Sequence, residues 1–118
     1  MKIDNIKHSF ESVQGVVFTS GAEARAHGKG GIWYQWKNGK HGRFPEDVKS
    51  VMIMMPVNWG EEGIMENGIQ AEWTVSEPNA NGAQWTLSGT TMKPTLSPSL
   101  HWVGVWHGFL NDGFLKSC

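Results

Sequence analysis

Fifteen glycines are spread through this chain of 118 residues, among seven tryptophans, five phenylalanines and one tyrosine, and that pairing constrains the fold more than any other feature. Large rings supply much burial per residue, whereas glycine weakens helix interiors and provides the positive φ that tight turns need. Short strands joined by tight turns satisfy both requirements. The longest apolar run, 51–57, is too short to cross a bilayer as a helix. A chain of this length fits one domain with one core, and 39% apolar residues with a net charge of −1 exclude disorder driven by charge repulsion. The expectation is one domain over 1–118, all-β or mainly β, built as a β-sandwich or small barrel-like sheet with at most one or two short helices.

Turn and strand signals place the elements. Val16, Val17 and Phe18 form a β-prone run, and 22–27 has helix-forming residues but is bounded by Gly21 and Gly28, which allows at best one or two turns and reads as a loop with helical character. A strand over 32–36 leads to Asn38-Gly39, a hairpin-turn dipeptide. For 45–55 two readings stand. Pro45, Glu46 and Asp47 suit a helix start and Val48, Val51, Met52 and Met55 share a helical face, yet 51–55 also has the length of a buried strand. A helical turn at 45–49 running into a strand at 50–55 is favoured. Partial alternation in 70–75 and 84–88 predicts two strands paired through Asn79, Asn81 and Gly82. The stretch 100–110 carries bulk at both parities and reads as one central strand, before Asn111-Asp112-Gly113 turns into Phe114 and Leu115.

The C-terminal third holds Trp85-Thr86-Leu87, then Pro94-Thr95-Leu96-Ser97-Pro98-Ser99-Leu100, then Trp106-His107-Gly108-Phe109-Leu110-Asn111-Asp112-Gly113. This order resembles small phage and prophage proteins of uncharacterised function, which have a tryptophan-containing strand, a PTLSPS-like loop and a final hairpin beginning Cys-His. Some of them are labelled ammonia monooxygenases, a label without supporting chemistry. Residues 84–118 carry the resemblance, with a looser match at 8–18 and 52–60. In many relatives a cysteine-rich knuckle near Met54-Met55-Pro56 and a cysteine just before the histidine matching His107 suggest zinc. Here methionines stand at the knuckle and Trp106 precedes His107, so of that ligand set only His107 remains.

Candidate chemistry is sparse. Zinc ligands must lie about 2.0–2.1 Å from the ion, and on one extended strand His101 and His107 are six residues apart, roughly 20 Å at about 3.4 Å per residue. They can share a metal only if the strand breaks at Gly104, so no metal site and no cofactor are expected; were one present, His107, His101 and His41 would supply it. Thr95, Ser97 and Ser99 offer three hydroxyls in a proline-held segment that reads as an ordered, extended loop able to meet an anion or a partner. No nucleophile elbow, phosphate loop or dinucleotide fingerprint accompanies them. Glu61, Glu62, Glu66, Glu72 and Glu77 read as solvated charges. Trp33 and Trp36 could stack on sugars or bases if exposed.

Near-zero net charge argues against nucleic acid as a general partner. The local basic group Lys37, Lys40, His41 and Arg43 reads as a solvated hairpin. Cys118 is the sole cysteine, which rules out an intrachain disulfide and fits a reducing compartment, and residues 1–10 lack the apolar stretch of a signal peptide. These features place the protein in the cytoplasm, the host's if it is phage-encoded. The leading functional expectation is a phage-type accessory protein acting by binding, with a protein partner or a second copy and no membrane. A degenerate metal-dependent enzyme using His107 with His41 or His101 is one alternative. A carbohydrate or single-strand nucleic-acid binder using exposed tryptophans is another.

Overall fold

The computed structural model describes residues 6–7, 11–39, 42–43, 45–59 and 67–118, the side chains of 6, 7 and 59 excepted. Eleven strands and one α-helix run in the order β1 (Ile6–Lys7), β2 (Val13–Gln14), β3 (Val16–Val17), α1 (Gly21–His27), β4 (Gly31–Trp36), β5 (Val48–Met55), β6 (Asn58–Trp59), β7 (Ile69–Thr74), β8 (Thr86–Gly89), β9 (Pro94–Trp102), β10 (Trp106–Asn111) and β11 (Phe114–Ser117) among the described residues. Single 3₁₀ turns cover Lys37–Gly39 and Pro45–Asp47. The chain is therefore mainly β, as its glycine and aromatic content requires.

Two sheets form the body, a five-stranded one ordered β2-β11-β10-β9-β8 and a four-stranded one ordered β3-β4-β5-β7, while β1 and β6 pair separately. One core joins them. Ile32, Val51, Ile53, Met55 and Trp73 from the four-stranded sheet pack with Leu96, Leu100, Trp106, Leu110 and Leu115 from the five-stranded sheet, so the sheets lie face to face as a sandwich. Trp73 and Trp85 meet edge to face, with ring centres 4.9 Å apart, a geometry worth about 0.5–1.5 kcal/mol beyond area burial.

β5 explains why 51–57 is a continuous apolar run. Val51, Ile53 and Met55 face the sandwich core, while Met52 and Met54 join Trp33, Ala24 and Phe18 in a second apolar cluster beneath α1. Both faces of this strand are thus covered, which removes the usual polar alternation. The helix itself starts at Ser20, whose side chain accepts from the Glu23 N–H at 3.2 Å, and it closes at Gly28, whose N–H reaches the Ala24 carbonyl.

The two sheets also share a boundary. β2 pairs with β11 and β3 pairs in parallel with β4, so one extended segment passes from the first sheet to the second at Gly15. A Cβ there would stand 2.4 Å from the Gly113 carbonyl oxygen, so only glycine fits the crossing.

Three sequence expectations need correction. The 70–75 and 84–88 stretches do form strands, but β7 pairs with β5 and β8 pairs with β9, so they lie in different sheets and meet through the Trp85 N–H donating to the Thr74 carbonyl, the Gln84 side-chain amide donating to the Val75 carbonyl and the Trp73–Trp85 ring contact. The proline-held loop is a strand, β9, with Pro94 at its first residue and Pro98 where pairing to β10 shifts register; both are positions at which a sheet tolerates proline. The 100–110 strand is two strands. The Val105 N–H donates to the Trp102 carbonyl, and Gly104 has φ of 77°, closing a turn between β9 and β10.

Candidate functional site on the open face of the five-stranded sheet

Alternation along the C-terminal strands gives this sheet two unlike faces. In β10, Trp106 and Leu110 enter the core, and His107, Phe109 and Asn111 point outward. In β11, Leu115 is buried between exposed Phe114 and Lys116. In β9, Leu96 and Leu100 are buried, leaving exposed Ser97 and His101 and half-buried Thr95 and Ser99. Pairing of Thr86 with Ser97 and Ser88 with Thr95 extends the hydroxyl-bearing side to the sheet edge. No described element covers this outer face, whereas α1 covers the outer face of the other sheet.

The turn at Gly104 does what an unbroken strand could not. β9 and β10 fold back so that His101 and His107 stand directly opposite each other, with ring centres 4.4 Å apart and planes inclined by 32°. Phe109 continues the row, its ring 6.5 Å from that of His107. Phe109 and Phe114 keep 41% and 38% of their surface in solvent, values large for phenylalanine in a packed sheet. Further along, the Thr95 hydroxyl accepts the Asp112 N–H at 3.0 Å, and the Ser99 carbonyl accepts from the Trp85 indole at 3.0 Å. These bonds fix the hydroxyl side of the face to the hairpin turn and to the core.

Of the residues singled out in the sequence, Thr95, Ser97, Ser99, His101 and His107 therefore belong to one strand pair, β9 and β10. Trp33 and Trp36 lie elsewhere, on β4. Trp33 is 8% exposed in the cluster under α1, with the Arg25 guanidinium 5.5 Å over its ring, so it offers no open face for stacking. Trp36 is half-buried at the far end of β4, its ring centre 5.3 Å from that of Tyr34. His41, Glu61, Glu62 and Glu66 lie outside the described residues.

The zinc that the sequence resemblance implies does not fit the residues at the matching positions. Met55 is fully buried in the sandwich core and Met54 lies in the cluster under α1, on opposite faces of β5. Trp106 is also in the core, while His107 faces out on the other side of its own sheet. Those positions neither converge nor present the thiolates and imidazoles that hold zinc. Among the described residues, no group of three or more His, Cys, Asp or Glu side chains is gathered closely enough to hold a metal ion.

Phe109 and Phe114 are the surface residues that sequence reasoning missed. A signal for them is visible in retrospect: His101-Trp102-Val103-Gly104-Val105-Trp106-His107 reads the same in both directions about Gly104. In a hairpin the mirror-related residues pair, as Trp102 does with Trp106 and His101 with His107, and the parity that follows puts Phe109 outside. No family description, curated protein or solved structure matches this chain.

Proposed function

We propose that this chain is a binding module whose contact surface is the open face of its five-stranded sheet, and that its partner is another protein. The observation that carries this reading is the exposure of Phe109 and Phe114 beside the His101–His107 pair, on a sheet face that no described element covers. Aromatic residues on a flat, ordered surface bury large area at low entropy cost, which suits a protein contact. The hydroxyls of β8 and β9 would furnish the polar rim. Resemblance of 84–118 to small phage and prophage proteins supports an accessory role of this kind, since the resembling segment forms four of the five strands of this sheet.

A photo-cross-linking amino acid at Phe109 tests the reading in the producing cell. A discrete protein adduct is expected from Phe109, lost when Phe114→Asp is added on the same face and retained with Asn81→Asp in the distant 75–85 loop. Adducts formed equally well from Gln70 on the edge strand β7, or none from Phe109, would overturn it.

A further inference from the structure

We infer that His101 and His107 form a two-imidazole site for a late first-row divalent cation, with zinc as its probe, on the outer face of the sheet. This inference stands apart from the partner protein and from the positions at which relatives suggest zinc, because both imidazoles lie outside the core and neither depends on Met54 or Met55.

The geometry is that of a cross-strand chelate. Directly opposed residues on neighbouring antiparallel strands hold their Cβ atoms about 4.5–5.5 Å apart. Two nitrogens bound to one tetrahedral zinc at about 2.0–2.1 Å are roughly 3.3 Å from each other. Imidazoles whose centres are 4.4 Å apart reach that spacing by small rotations of their side chains. Both rings are exposed, so a cation reaches them without opening the fold. Imidazole nitrogen suits zinc, copper and nickel, and two imidazoles leave the remaining coordination positions open to water or to a donor from outside the chain.

The turn supplies the preorganisation. Gly104 closes a connection of three residues, 103–105, and the Trp102–Trp106 pair next to the histidines is anchored in the core by Trp106, with Trp102 packed against it. The second imidazole is therefore delivered at a high effective concentration once the first has bound. Cys118 is exposed and its N–H donates to the His107 carbonyl, which places it beside His107 just past the end of β11. A free thiol binds zinc by itself, so it has to be removed from the measurement.

The test is a calorimetric titration with zinc chloride alone, in a Cys118→Ser background, with the histidine C–H resonances followed by NMR. One zinc per chain is expected, shifting the His101 and His107 signals together and leaving His27 unmoved. Either His101→Ala or His107→Ala should weaken binding on the order of 100-fold, the chelate contribution of a preplaced second ligand. His27→Ala should change nothing, and far-UV spectra of all variants establish that each is folded. No binding in the Cys118→Ser background, or binding that survives both single histidine variants, would overturn the inference. Because the titration contains no second protein, its failure is separable from that of the cross-linking experiment.

Discussion

Tyr34 carries a polar bond across the sandwich. It stands on β4, 8% exposed, and its hydroxyl donates at 2.5 Å to the carbonyl of Thr91, in the loop between β8 and β9 of the other sheet. Burial pushes its phenol above the ordinary value, because the phenolate would lose water without gaining a cation. Tyr34→Phe leaves the Thr91 carbonyl without this donor and should cost about 1–2 kcal/mol, read as a lower urea midpoint at unchanged slope. The pH dependence has a definite sign. The unfolded chain ionises its tyrosine near the ordinary value of about 10, whereas the folded chain holds the proton to higher pH. Stability from this residue is therefore complete below that value and falls as pH rises above it. Wild type should lose stability in that alkaline range more steeply than Tyr34→Phe, and equal slopes would contradict the assignment.

At the level of elements, the hairpin between β9 and β10 depends on one backbone conformation. Gly104 has φ of 77° with no atom within 4 Å of where its Cβ would be, so a side chain there meets conformational strain and no clash. Gly104→Ala should cost about 1–2 kcal/mol, and by loosening the turn it should weaken zinc binding without removing either histidine. Unchanged affinity together with reduced stability would separate the turn from the histidine geometry. Much of this level was legible in the residues. The Asp112-Gly113 turn and the passage from a turn at Pro45 into a strand follow from local chemistry and have their counterparts in the fold, whereas the stretch before Gly28, which reads as a loop with helical character, is a capped α-helix. What local chemistry could not decide was partnership. β7 and β8 alternate as strands should, but their assignment to different sheets is set by what Trp73 and Leu87 pack against across the sandwich. The stretch 100–110 was misread for a related reason, since two short strands buried on one face and mirrored about a glycine show bulk at both parities, like one strand buried on both. Five of the singled-out residues fall on β9 and β10, but their convergence was hidden by that misreading.

For the molecule as a whole, the core is held by burial at the positions where the resemblance to phage proteins implies a metal. Met55, Val57, Val105 and Trp106 are packed in the main core, each large side chain contributing about 1.5–3 kcal/mol. A chelator should therefore leave the melting temperature of purified protein unchanged, because the outer imidazole pair adds a ligand to a chain already folded. A loss of several degrees on chelation would show instead that metal is part of the structure. The passage of the chain through Gly15 has a wider consequence. A single extended segment is laced into both sheets, bonded to β11 on one side of the glycine and to β4 on the other. Like a rivet through two plates, it ties their failure together: neither layer can peel from its partner while the other stays intact, so the β-structure that presents the histidines and phenylalanines is present whole or lost whole.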